Sequence, residues 1–181
     1  GETRTTREQL IRTHAPGYFG ALEGGVQTVM ISYSSWTDAD AGKPHGKMHG
    51  NRELITDVLK GKLGFDGLVV SDWNAIEQVA GCTRTHCPQA INAGIDMIMV
   101  PDDWKQFIDE TIADVEKGVI PMSRIDDAVT RILRVKMRTG LFARSPIPAA
   151  SAEADMVSEA VSATARGADS KSLVLLKNNA R

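Results

Sequence analysis

Asp72 closes an apolar run, Leu68-Val69-Val70-Ser71, and is followed at once by Trp73. In parallel strand–helix folds the reactive groups gather where strands end, because several loops converge there. A carboxylate at such an end can attack an electron-poor carbon, and an exposed aromatic beside it can pack on the face of a sugar ring. The competing reading is local: Ser71 or Asp72 caps a following helix. Tyr33 follows a second run, Val26-Gln27-Thr28-Val29-Met30-Ile31-Ser32, and could either donate to a nearby carboxylate or anchor the rim. Pro101, Asp102 and Asp103 follow a third, Ile95–Val100, and the two aspartates read as helix-start residues near the positive end of a dipole. Trp36 and Trp104 are expected to pack, Trp104 on the core face of its helix.

The remaining chemistry is thinner. His14 reads as structural, His86 lies between two cysteines, and His45 and His49 sit in a Gly/Lys-rich loop over residues 42–50. None has the spacing of a metal site. Dinucleotide-binding, phosphate-loop and serine-hydrolase motifs are absent, so no cofactor is expected. No lysine ends any of the three runs, which argues against a Schiff-base lyase.

Three strands, predicted at 26–32, 67–71 and 95–100, must position these groups. Their unbroken apolarity suits strands buried on both faces. Helical periodicity separates them. Leu54, Ile55, Val58 and Leu59 form one face, started by Asn51 and stopped at Gly61. Trp104, Phe107, Ile108, Ile112 and Val115 form another, with Asp103 as N-cap, Gln106 at the capping-box position and Gly118 as terminator. A third face, Ile125, Val129, Ile132 and Leu133, follows the capping-box pattern Ser123–Asp126 and stops near Gly140. Thr6 to Leu22 is helical in pattern, broken at Pro16. Strand alternating with helix predicts an α/β fold with a parallel sheet, either open or barrelled. A (β/α)8 barrel needs about 250 residues. The 181 residues here therefore read as the C-terminal portion of one.

The boundaries follow from composition. Residues 1–142 read as the partial barrel, and 143–171 as a Ser/Ala/Pro-rich linker with a helix over Met156–Ala168. Residues 172–181, with the run Ser172–Asn178, read as the first strand of a second α/β domain. Net charge is −2, from 21 basic and 23 acidic side chains, which gives no electrostatic ground for nucleic acid or acidic lipid. No stretch is apolar for the roughly 18 residues a membrane span requires. The start, Gly1-Glu2-Thr3-Arg4, carries no export signal. Cys82 and Cys87, five apart, lack the spacing of a zinc pair. They suit a local disulfide worth roughly 2 kcal/mol, with Pro88 starting the next helix, or else two free thiols in a surface loop. A disulfide would favour an oxidising compartment.

Longer segments carry a resemblance. Leu68–Trp73, Val29–Trp36 and Ile120–Leu133 resemble glycoside hydrolase family 3, most closely its exo-acting β-glucan glucohydrolases and β-glucosidases. Ser172–Asn178 is similar to the start of that family's second, α/β sandwich domain, and the Cys-x4-Cys loop is similar to that of periplasmic bacterial members. The resemblance implies a retaining mechanism on a β-glucoside or β-glucan oligosaccharide. Asp72 would be the nucleophile, Tyr33 would hydrogen-bond near it, Met30 would lie near the sugar and Trp73 would form one side of an aromatic clamp. It also implies partners outside this chain: an upstream half-barrel that binds the sugar hydroxyls, and a downstream acid/base glutamate. Such a chain carries the nucleophile half and is inactive alone, in a periplasmic or secreted protein whose export signal lies elsewhere. Two alternatives differ in class. The family's β-N-acetylglucosaminidases tend to Ser-Asp-Asp, where this chain has Ser71-Asp72-Trp73, and resemble Ala-His where it has Tyr33. A carbohydrate-binding remnant would hold glucan on Trp73 and Trp36 without cleaving it.

Overall fold

The computed structural model describes residues 1–143 and 159–177. The chain divides into two units, Gly1–Gly140 and Leu141–Arg181. In the first, a short strand β1 (Glu2–Thr5) leads into α1 (Arg7–Gln9), which continues as a π-helical turn, Leu10–His14. Thr6 and Gln9 cap it reciprocally: the Thr6 hydroxyl accepts from the Gln9 N–H, and the Gln9 side chain accepts from the Thr6 N–H. Pro16, having no N–H to give, begins α2 (Pro16–Glu23), the break expected there.

Two of the three predicted runs form strands. β2 (Thr28–Met30) and β5 (Leu68–Val70) pair in parallel, with Thr28 opposite Leu68 and Met30 opposite Val70. The third, Ile95–Val100, is reduced to one parallel bridge between Val70 and Met97. Side chains take the rungs that backbone would otherwise fill. The Asp96 carboxylate accepts the Val69 N–H at 2.8 Å, and the Ser71 hydroxyl accepts the Met99 N–H at 2.7 Å. β2 is also less enclosed than its apolarity suggests, with Met30 48% exposed.

A second sheet has no counterpart in the apolar pattern. β3 (Ser35–Asp38) lies between β1, parallel to it, and β4 (Lys43–Lys47), antiparallel. β4 contains Pro44 and Gly46 and joins through a register shift at Trp36/Thr37, the tolerated placement for such residues at an edge. Trp36 is buried as expected and stacks on His45 at 4.2 Å.

The π-helix Glu53–Lys62 starts where the Asn51 side chain accepts the Leu54 N–H. Its Ile55 and Leu59 meet Phe65, Val69, Ile76, Ala90 and Ile95 in one apolar core around β5. Gly67 is required where β5 begins. A Cβ there would fall inside contact distance of the Gln27 carbonyl oxygen and 2.7 Å from the Phe65 ring. Gly67→Ala is expected to push β5 from β2 and cost about 1–3 kcal/mol, measured as a lowered melting temperature.

Two helix faces differ from expectation. In α4 (Trp104–Glu116), Trp104, Ile108 and Ile112 are exposed, whereas Phe107 packs on the core and Asp114 is buried. On the inward face His86 Nε2 meets the Asp114 carboxylate at 2.9 Å. Asp103 makes no capping bond, and Gln106 bonds Glu110 instead. α5 (Met122–Arg138) starts one residue before its predicted cap, after Pro121. Val129 and Leu133 are exposed, because the helix docks through Arg124, Ala128, Arg131 and Val135. Arg131 donates to the carbonyls of Phe65 and Gly67 at 2.8 and 3.0 Å.

Cys82 and Cys87 are joined as a disulfide, and Pro88 opens α3 (Pro88–Ala93). In the second unit, α6 spans Glu159–Ser172, and the part of the predicted linker over residues 144–158 lies outside the described residues. The run after it, expected as a strand, forms none over residues 173–177, where Leu173 to Leu176 are exposed; residues 178–181 lie outside those described.

Candidate active site

Leu68 and Val69 of β5 are buried and Val70 is half-buried, and the carboxyl end of the strand delivers Ser71, Asp72 and Trp73 in succession. Ser71 is fully buried, and its N–H and hydroxyl are both hydrogen-bonded. Its N–H donates to Met97, while its hydroxyl accepts from Met99 and donates to the Asp72 carbonyl at 3.0 Å. Asp72 is half-buried, and its Oδ1 accepts the Trp73 N–H at 2.7 Å. Asn74 then takes a left-handed turn, at φ 52°, and donates its N–H to Met99. Trp73 projects outward, 59% exposed. The helix expected to be capped by Asp72 is a single 3-10 turn, Ala75–Gln78, whose N-cap is Asn74. The capping alternative for Asp72 therefore loses its object.

Tyr33 stands at the same end of the β2–β5 pair. Its hydroxyl donates to the Trp73 carbonyl oxygen, and Lys47 holds its own carbonyl at 2.9 Å. Loss of water, then the neighbouring Asp72 carboxylate, pushes the Tyr33 phenol above its usual range, so it stays protonated and a donor. Met30 lies one strand over, in register with Val70.

No motif or spacing singles out His49 in its Gly/Lys-rich loop, and the fold brings it here. It is 1% exposed, and its Nε2 accepts the Asp72 N–H at 3.0 Å. Burial lowers its pKa to about 4; the Asp72 charge pulls the other way and Lys47 reinforces the fall. The imidazole is therefore neutral around pH 7, with its proton on Nδ1. Trp36 is taken up by His45 and Trp104 by Lys105, and the Cys82–Cys87 loop contributes to α4 through His86 rather than to this cluster. No group of three His, Cys, Asp or Glu among the described residues could hold a metal ion. No helix among them is long and apolar enough to cross a membrane.

A buried strand ending in a half-buried carboxylate, an exposed tryptophan and a phenol donor can present a nucleophile beside an aromatic surface. Residues 1–135 match the family described as Glycosyl hydrolase family 3 N terminal domain. The chain belongs to glycoside hydrolase family 3. Among relatives of this family, the lysosomal beta glucosidase of Dictyostelium discoideum is 34% identical across 99% of the chain and 22% of its own length. The periplasmic beta-glucosidase/beta-xylosidase of Dickeya chrysanthemi is 30% identical across 99% of the chain and 31% of its own length. A crystal structure of the Q683A mutant of exo-1,3/1,4-beta-glucanase (ExoP) from a Pseudoalteromonas species superposes with a TM-score of 0.81 at 46% identity. That match covers 99% of the chain and 28% of ExoP. The chain thus spans between about a fifth and a third of each, and its α/β fold is that of part of the family's barrel domain.

Proposed function

We propose that this chain is the nucleophile-bearing part of a retaining, exo-acting β-glucosidase or β-glucan glucohydrolase, and that Asp72 is the nucleophile. The observation that carries this is Asp72 itself. It ends the central buried strand, with its N–H, its carbonyl and one carboxylate oxygen all hydrogen-bonded. A retaining glycosidase needs two carboxyl groups about 5–5.5 Å apart, one to attack C1 and one to protonate the leaving oxygen. Asp72 supplies the first; the second would come from the remainder of the enzyme. In this reading residues 1–142 are part of a (β/α)8 barrel, 143–171 a linker with its helix, and 172–181 the opening of the second domain. Tyr33 steadies the Trp73 backbone and the Asp72 carboxylate, and Met30 borders the sugar. The periplasmic relative and the disulfide support an exported protein.

The test is stereochemical. Full-length enzyme hydrolysing a nitrophenyl β-D-glucoside should release β-glucose first, seen by proton NMR before mutarotation. First release of α-glucose would exclude a covalent intermediate on Asp72. Binding of laminaribiose with no release of nitrophenol would favour the carbohydrate-binding remnant. Trp73 gives a second check. Removal of its exposed ring in Trp73→Ala is expected to raise KM by about 10-fold or more, with a smaller change in kcat, because stacking binds ground and transition states alike.

A further inference from the structure

We propose that His49 is a positioning residue for Asp72: its neutral imidazole supplies the acceptor that the strand ladder no longer can, and so fixes the backbone from which the carboxylate projects. The inference rests on Asp72 being the nucleophile and goes beyond it by assigning what holds Asp72 in place.

Pairing of β5 with β2 ends at Met30 opposite Val70, with one further rung from Ile31 N–H to Val70 at 3.0 Å. On the other edge, the Ser71 N–H donates to Met97, and the segment is not met again until the Asn74 N–H reaches Met99. The next donor is the Asp72 N–H. Left unpaired in a half-buried place it would cost free energy and let the turn relax. His49, 23 residues away, meets it at 3.0 Å. The imidazole is held in turn. It sits in the short turn Met48–Gly50, whose Met48 N–H donates to Ser34 and whose Asn51 N–H closes back on Met48. The Tyr33 ring lies 6.2 Å away, and Lys47 bonds the Tyr33 carbonyl, so this turn and the Tyr33 segment form one brace. Asp72 is then gripped on both sides, by His49 at its N–H and by Ser71 at its carbonyl. A protonated imidazole has no lone pair to accept with, so only the neutral ring can serve. Burial, which lowers the His49 pKa to about 4, keeps that form present through the neutral range.

The test compares variants of the full-length protein. His49→Leu and His49→Met fill the same space without an acceptor; His49→Gln restores one. Two measurements are made on each. Peptide-resolved hydrogen exchange over residues 71–74 reads the Asp72 amide directly. Trapping by 2-deoxy-2-fluoro-β-D-glucosyl fluoride, followed by intact mass, reads its chemistry. In that step an Asp72 oxygen forms the ester bond to C1 as the C–F bond breaks and fluoride leaves without an acid. In the Leu and Met variants the amide is expected to exchange at least about 10-fold faster, and the saturating trapping rate to fall about 10- to 100-fold. The half-saturating concentration should move by less than about threefold, and Gln should recover most of both losses. Unchanged exchange and trapping in the Leu or Met variants would overturn the proposal. So would a loss that Gln does not recover, or a change in half-saturation alone. If the wild-type protein is not labelled at all, the glycosidase reading fails, while the exchange measurement still decides whether His49 holds the Asp72 amide.

Discussion

Asp72→Ala in the full-length enzyme is expected to lower turnover of an aryl β-glucoside by roughly 10⁴-fold or more, a loss of about 5 kcal/mol or above in transition-state stabilisation. Packing cannot account for such a figure. Asp72 is half-buried and its carboxylate accepts the N–H of the adjacent Trp73, so its removal should disturb the fold by far less. The diagnostic part is rescue. Alanine leaves room on the face of C1 that the carboxylate would occupy, and azide can enter it. With a dinitrophenyl β-glucoside, whose aryloxide departs without protonation, azide should form the C1–N bond from that face and give α-glucosyl azide. Rate restored in proportion to azide, with the α-azide as product, is the expected result. Near-wild-type hydrolysis by the variant with no azide present would remove Asp72 from the mechanism.

The second large effect concerns stability and lies on the Ile95–Val100 segment beside β5. Asp96 is buried, and its carboxylate bonds Lys60 at 2.7 Å, the Val69 N–H at 2.8 Å, and Arg124. Arg124 also pairs with Asp127, which pairs with Arg131 at 2.9 Å, so one acidic group ties the π-helix, β5 and α5 together. Lys60 has a side chain only 5% exposed, and burial pulls its pKa down while Asp96 holds it up. Asp96→Ala would strip the buried carboxylate from two largely buried cations, leaving them only the more exposed Asp127, and orphan the Val69 N–H. Breaking a buried pair on one side costs about 3–5 kcal/mol, because the remaining charge stays desolvated. In urea that corresponds to a midpoint lowered by about 2 M for a slope near 2 kcal/mol per M. A shift below about 0.5 M would mean that the network contributes little. Asp96→Asn separates the terms: it can still accept from Val69 but leaves Lys60 and Arg124 with Asp127 as their remaining carboxylate, and is expected to recover only a minor part of the loss.

Much of this is legible in the residues. Apolar runs that each follow a glycine locate β2 and β5, and a run that stays apolar to Val70 must leave Ser71 and Asp72 at its end. Pro16, Pro88, Gly118 and Gly140 punctuate helices for reasons that are local, a missing N–H or a tolerated positive φ. Five-residue spacing suffices to suggest the Cys82–Cys87 bond. Asp96 carries a fainter signal. A carboxylate inside the run Ile95–Val100 has to find a partner if the run is buried, and that requirement alone points to a cation elsewhere.

Other features have no local mark. β3 and β4 contain Ser, Asp, Pro, Gly and Lys, so their pairing comes from the β1 edge and not from intrinsic preference. The inward faces of α4 and α5 carry long-range polar pairs, His86 with Asp114 and Arg124 with Asp96, and differ from the apolar stripes that periodicity selects. His49 is the extreme case. Its loop looks like any polar connection, and its role exists only because chain closure brings residue 49 to the amide of residue 72. Periodicity and caps act over one to four residues, so they can be read along the chain. Hydrogen-bond demand at a strand's end and compensation of buried charge are settled across the fold, by whichever group arrives there.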